Sequence, residues 1–297
     1  MDFPNGLRVL FDPVFSERCS PFTWLGPKRY TPKPVDVEDI PFVDVVIISH
    51  NHYDHLDYPT ISKVFKKHNP QIFCPLGNKD WFERSGIHNA TELDWWDERD
   101  ITLTKSHSKS IVEDTGPDST FTNEPKDDQI SGRIGCLPCQ HTSARTGYDK
   151  GRTLWASWSV ESGGKKVWFG GDTGYRAVPE LPVGEDDYGE GHEYPHCPAF
   201  KEIGDHRGPF DLGLIPIGAY APRHIMSPMH ANPFDAVNIF KDVRAKRALG
   251  IHHLTWVLTE EPIWEPSRLL KEALSRNELA EEGVFDTCDI GESKEFL

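Results

Sequence analysis

His50-Asn51-His52-Tyr53-Asp54-His55 places three imidazoles and a carboxylate within six residues, directly after the apolar run Val45-Val46-Ile47-Ile48. Neutral imidazole and carboxylate are the donors that suit zinc and its borderline neighbours. On an extended strand, residues two apart share a face, so His50 and His52 can reach one ion together. Asp54 and His55 fall beyond the strand, in the turn entering a helix, displaced enough to hold a second ion. The plain alternative is a solvated polar turn that merely contains histidines. A chain with 14 His in 297 residues holds stray pairs, but H-x-H-x-D-H set onto a buried-strand pattern is a more specific signal.

Four ligands on one loop are too few for two ions, so further His and Asp are required at later strand ends. Gly135-Cys136-Leu137-Pro138-Cys139-Gln140-His141 ends a short apolar stretch on a histidine. Val167-Trp168-Phe169-Gly170-Gly171-Asp172 ends a strand-like run on a carboxylate, and Ala248-Leu249-Gly250-Ile251-His252-His253 repeats the pattern. Singly, each histidine reads as an ordinary hydrogen-bonded surface residue. Together they converge, because in an open layered sheet reactive groups collect at one end of several strands. Spacing alone does not separate His252 from His253.

The order H-x-H-x-D-H, His, Asp in a glycine-rich turn, His resembles the metallo-β-lactamase superfamily of binuclear metallohydrolases. More narrowly, Ser49-His-Asn-His-Tyr-Asp-His-Leu-Asp57, Leu93-Asp-Trp-Trp-Asp97, Leu137-Pro-Cys-Gln-His141, Gly171-Asp-Thr-Gly-Tyr175 and Ile215-Pro-Ile-Gly-Ala-Tyr-Ala-Pro-Arg223 resemble its N-acylphosphatidylethanolamine-hydrolysing phospholipase D branch. Asp12-Pro-Val-Phe-Ser16 and Gly26-Pro-Lys-Arg29 fit the same branch, so the resemblance runs from about residue 7 to about residue 291. The metal motif is common to the superfamily, whereas Pro-Ile-Gly-Ala-Tyr and Asp-Trp-Trp are far more branch-specific.

The resemblance implies an α/β fold, a four-layer αββα sandwich, that lacks its first N-terminal strands, the part tied in the branch to membrane association and the lipid groove. It implies two zinc ions: His50, His52 and His141 on one, Asp54, His55 and His252 on the other, with Asp172 bridging. His252 is preferred to His253 there because it follows Ile251. Asp54 and His230 are the implied catalytic residues, His230 in Pro228-Met-His-Ala-Asn232 stabilising phosphate or carrying a proton; the plain alternative is a capping or surface histidine. The implied reaction is phospholipase D cleavage of N-acylphosphatidylethanolamine, a hydroxide attacking phosphorus in line, to an N-acylethanolamine and phosphatidic acid. A phospholipid substrate, peripheral membrane contact and a homodimer come with it. Two other readings stand beside it: a hydrolase of lactones or another phosphodiester, and a shortened, idle relative that binds lipid.

Composition agrees with one large α/β domain, since no Pro/Gly/Ser linker divides the 297 residues. No apolar run nears the roughly 18 residues that span a bilayer, and the N-terminal residues are no signal peptide. An intracellular chain, soluble or peripherally membrane-associated, is the expectation, with six cysteines as reduced thiols. A net charge of -15 argues against nucleic acid as a partner. Lys28, Arg29, Arg145, Arg152 and Arg223 could serve a phosphate or be ordinary solvated charges. Phe22, Trp24, Tyr30, Trp95, Trp96, Tyr175 and Tyr220 could line an acyl groove or be core, the latter favoured for Trp95 and Trp96. Stretches 107–133 and 176–196 carry acidic and turn residues without periodicity and read as inserted mobile surface loops that add no catalytic group.

The elements that must carry the ligands are predicted as strands at 7–11, 43–49, 71–74, 101–104, 153–162, 165–170, 210–217 and 248–252. Gly163-Gly164 reads as a hairpin turn. Helices are predicted at 59–68, 233–245 and 266–276, the second capped by Asn232.

Overall fold

The computed structural model describes residues 1–104, 113–114 and 129–296. Most of the stretch read as an insertion at 107–133 therefore lies outside the described residues. The chain forms two compact units. One contains Met1–Gly26, Lys33–Pro138 and Thr142–Phe169; the other contains Pro27–Pro32, Cys139–His141 and Gly170–Leu297.

In the first unit β1 (Val9–Phe11), β2 (Val45–Ile47), β3 (Gln71–Pro75) and β4 (Ala90–Leu93) form a parallel sheet in that order. Val9 lies opposite Val45, and Val45 opposite Gln71. Parallel strands buried on both faces read as unbroken apolar runs, and Val45, Val46, Ile47 and Ile48 are all fully buried. The strand delivers its chain to α1 (Tyr58–His68) through the histidine-rich turn. Asp57 caps α1 by accepting from the Thr60 N–H, Pro59 occupies the first turn, and Lys66, Lys67 and His68 sit in the last, where cations suit the dipole. Ile61 and Val64 bury against Val46, Ile48, Leu56 and Ile72. After α2 (Lys79–Arg84) come β5 (Glu98–Thr104), β6 (Glu113–Asp114), β7 (Gln129–Leu137), β8 (Ser157–Ser162) and β9 (Lys165–Phe169), antiparallel in the order β6-β5-β7-β8-β9. Gly163 and Gly164, at φ 58° and 74°, make the β8–β9 turn that needs two left-handed residues.

In the second unit α3 (Ala199–His206) precedes three parallel strands, β10 (Leu212–Pro216), β11 (Ala248–Ile251) and β12 (Phe285–Asp286). Helices α4 (Arg223–Met226), α5 (Pro233–Asp242) and α6 (Glu265–Arg276) complete it. A reciprocal capping box of Asn232 and Asp235 starts α5, which packs against α3, α6 and β10. The helix stops at Asp242, short of the predicted 245, because Arg244 turns left-handed at φ 58°.

The expectation of a mobile loop at 176–196 does not hold at its centre. Arg176 bonds Asp187 at 3.1 Å and Asp235 at 3.0 Å, and its guanidinium lies 3.6 Å from the Tyr188 ring. Arg223 closes on the same two carboxylates at 2.8 and 2.7 Å, so a buried, hydrogen-bonded charge network anchors the stretch to α5. The six cysteines form no disulfide. No helix among the described residues is long and apolar enough to cross a membrane.

Candidate metal centre

In the first unit the loop after β2 is organised by one carboxylate. Asp12 follows β1 in the left-handed region, at φ 41°, a conformation that Asp tolerates better than most residues. Its Oδ1 accepts from the Ser49 N–H at 2.7 Å, and its Oδ2 accepts from the Ser49 hydroxyl and from His55 Nδ1, the latter at 2.6 Å. Ser49 Oγ in turn lies 2.8 Å from His50 Nδ1. Because the hydroxyl proton goes to Asp12, His50 must donate from Nδ1, which puts its lone pair on Nε2. That Nε2 lies 2.8 Å from His52 Nδ1, and His55 Nε2 lies 3.3 Å from Asp54 Oδ2. His50 and His55 are 1% and 4% exposed.

Such an arrangement fits a metal. A ligating imidazole usually donates its other ring N–H to a carboxylate, hydroxyl or carbonyl, which sets tautomer and ring angle. Asp12 and Ser49 do this for His55 and His50. Two ring nitrogens directed at each other across 2.8 Å require a proton or a cation between them. Asp12, His50 and His55 bring ligand atoms within 4.8 Å of one another.

The second unit gathers its donors from four separate stretches. Asp172 follows Gly170-Gly171, the latter at φ 58°, and is 2% exposed. Its carboxylate is approached by His252 Nε2 at 3.2 Å, His141 Nε2 at 3.7 Å and His230 Nδ1 at 3.9 Å. His141 Nδ1 donates to the Met229 carbonyl at 2.9 Å, the same fixation from behind seen in the first unit. Hydrogen bonds tie these stretches together: two between backbone groups, Gly174 N–H to Gln140 O at 2.7 Å and Ala231 N–H to Thr173 O at 2.7 Å, and one from the side chain, Gln140 Nε2 to Pro228 O at 2.9 Å. Gly174 has to be glycine, since a Cβ there would lie 2.5 Å from the Ser227 carbonyl oxygen. A buried carboxylate ringed by imidazoles is costly without a compensating cation, and a metal ion or a protonated imidazole supplies one. His141, Asp172 and His230 bring ligand atoms within 4.8 Å of one another.

The histidine pair at 252–253 divides by geometry. His252, at the end of β11 with φ 60°, meets Asp172. His253 lines a small cavity with Gly218, Trp256 and Ile263, where burial pushes its imidazole down to about 4 and so holds it neutral. His230 lies beside Asp172, and the cap of α5 is Asn232.

Several sequence expectations are corrected here. Arg223 is engaged by Asp187 and Asp235, and Arg145 Nη1 by two backbone carbonyls, so neither is an ordinary solvated charge. Tyr175 and Tyr220 are buried, with hydroxyls donating to Asp242 and Glu265, whereas Trp24 and Tyr30 are 72% and 52% exposed. Trp95 and Trp96 are half-buried rather than core. Asp12 and Ser49 were not singled out from sequence as organising groups; the available signal was an Asp-Pro directly after an apolar strand.

Residues 7–253 match the model of the Beta-lactamase superfamily domain. An N-acyl-phosphatidylethanolamine-hydrolyzing phospholipase D 1 from Caenorhabditis elegans is 36% identical over 296 residues, covering 97% of this chain and 70% of the relative. A second relative, the mitochondrial N-acyl-phosphatidylethanolamine-hydrolyzing phospholipase D of Saccharomyces cerevisiae, is 33% identical over 287 residues, 96% of this chain and 50% of that one. The chain thus spans about half the length of the yeast relative. Among solved structures, an isothiocyanate hydrolase from Delia radicum gut bacteria superposes with a TM-score of 0.59 at 17% identity, covering 97% of this chain and 92% of that one. Igni18, a metallo hydrolase from Ignicoccus hospitalis, gives 0.54 at 16% identity, covering 96% and 88%. These two show the fold.

Proposed function

The chain belongs to the β-lactamase superfamily of metal-dependent hydrolases, in the branch of the N-acyl-phosphatidylethanolamine-hydrolysing phospholipases D, and we propose that it is a zinc-dependent phosphodiesterase cleaving N-acylphosphatidylethanolamine. The observation that carries this reading is the shared orientation device: His50, His55 and His141 each have Nδ1 held by an oxygen, from Ser49, Asp12 and Met229 respectively. Groups so held direct Nε2 as ligands do.

In the assignment proposed from the resemblance to the branch, His50, His52 and His141 would hold one zinc and Asp54, His55 and His252 another, with Asp172 available to both. Bound there, the ions would polarise phosphoryl oxygens and bring the pKa of a water toward neutrality. Asp12 and Ser49 set the tautomer and ring angle of His55 and His50. His230, 3.9 Å from Asp172 and outside the zinc assignment, is the group proposed to steady a phosphate oxygen or pass a proton. In the overall reaction water adds its oxygen to phosphorus and the P–O bond to the N-acylethanolamine breaks. A proton then ends on the departing alkoxide, leaving phosphatidic acid.

The test is hydrolysis of vesicles containing N-acylphosphatidylethanolamine, with release of N-acylethanolamine followed by mass spectrometry. Release that stops with a chelator and returns with zinc supports the reading. Cleavage of soluble lactones or diesters with no lipid turnover would replace it with another hydrolase of the superfamily.

A further inference from the structure

Arg145 occupies a place that no part of the proposed chemistry explains. Its Nη1 donates to two backbone carbonyls, Asn51 O and Leu56 O, each at 2.8 Å. Those carbonyls bracket His52, Asp54 and His55. Its guanidinium carbon also lies 4.0 Å from the Tyr53 ring and 5.3 Å from the Trp81 ring. The residue is itself seated in a tight turn: the Arg145 and Thr146 N–H groups both donate to Asp149 Oδ1, at 3.0 and 2.8 Å, and Gly151 N–H donates to Ser143 O at 2.8 Å.

The two carbonyls need this donor. Asn51 and Leu56 are 5% and 0% exposed, and Leu56 precedes the Asp57 cap, so its carbonyl falls outside the α1 ladder. A buried carbonyl stripped of its partner keeps the full penalty of lost hydration. An arginine that bound substrate phosphate would present two N–H groups as a fork to the anion; here one corner of the fork is spent on the protein backbone. Lysine could not reproduce the arrangement, because a point charge lacks the plane that stacks on Tyr53.

We propose that Arg145 is a positioning residue for the metal loop, a staple across both ends of residues 51–56 that holds His52, Asp54 and His55 in ligand register. The proposal rests on the metal reading above and does not depend on the lipid. Burial and ring stacking make the staple rigid, and Asp12 fixes the same loop through His55 and Ser49. Arg145 therefore acts on how long a metal stays, not on how tightly a phosphate is grasped.

The experiment uses the intact 297-residue chain loaded with zinc and compares wild type, Arg145→Lys, Arg145→Met and Arg145→Ala. Zinc release to a chromogenic chelator is read alongside thermal melting and, where turnover is measurable, kcat and KM. Loss of a group that holds metal ligands in place typically costs roughly 10- to 100-fold in metal affinity or activity, and zinc release from Arg145→Met is expected to accelerate within that range while cooperative melting is retained. Guanidinium added to Arg145→Ala should slow release again, whereas methylammonium should not, and kcat should fall more than KM rises. Should Arg145→Met not fold, Arg145→Lys carries the same readouts. Wild-type release rates in these variants, or a rise in KM alone, would overturn the staple and make Arg145 a phosphate contact. Wild type that takes up no zinc would overturn both the metal reading and this one.

Discussion

The two units solve the same problem in opposite ways. The first places its donors on one short loop and lets a single carboxylate, Asp12, orient them through Ser49 and His55. The second draws His141, Asp172, His230 and His252 from stretches far apart in sequence and arranges three imidazoles around the buried Asp172. One set of donors is a local property of a turn; the other exists only when the chain is folded. The first should tolerate loss of an orienting group with graded damage, whereas the second should fail as a whole when its central carboxylate is altered.

Asp172→Asn should have the largest effect, removing the charge that the imidazoles surround. Activity is expected to fall by more than about 100-fold, beyond the range for orienting groups, and zinc content with it. If Asp172→Asn keeps its metal, the contrast between the units breaks. His230→Ala should lower turnover by about 100-fold, at the low end for a positioned proton-transfer group, with metal content unchanged. Unaltered turnover would remove His230 from the chemistry. Asp12→Asn should cost roughly 10- to 100-fold in metal affinity, read by chelator competition, because it disturbs His55 and His50 without deleting a proposed ligand. Damage equal to that of Asp172→Asn would show that the first unit is no more forgiving. The smallest effect belongs to Asn232→Ala, which removes a cap and should cost about 1 kcal/mol in urea unfolding while zinc content stays put.

The same contrast explains what could be read beforehand. Val45 to Ile48 and the histidines after them are contiguous, and strand periodicity plus ligand chemistry identifies both without a structure. Helix α1 was legible from Ile61, Val64 and the basic last turn, and the β8–β9 hairpin from Gly163-Gly164. Asp12 was not, because its partners Ser49 and His55 are distant in sequence and an Asp-Pro after an apolar strand, the one local signal, does not say which groups the carboxylate holds. Strand β7 was hidden for a different reason. Ile130, Gly132 and Ile134 alternate inward, as an antiparallel strand requires, but they adjoin an acidic stretch without periodicity, which masks the start of the strand. Arg145 shows the limit of reading charges one at a time. From sequence a cation near a metal motif suggests phosphate, and only the fold reveals that its hydrogens go to Asn51 and Leu56.

The central claim is that these histidines and carboxylates form a metal centre, and metal content per chain tests it most directly. Protein purified without added metal and desalted would be subjected to elemental analysis, before and after zinc is supplied. About two zinc ions per chain is the expected result for a binuclear hydrolase site. A value near zero that persists after zinc is added back would contradict the account and leave the fold as that of an idle relative.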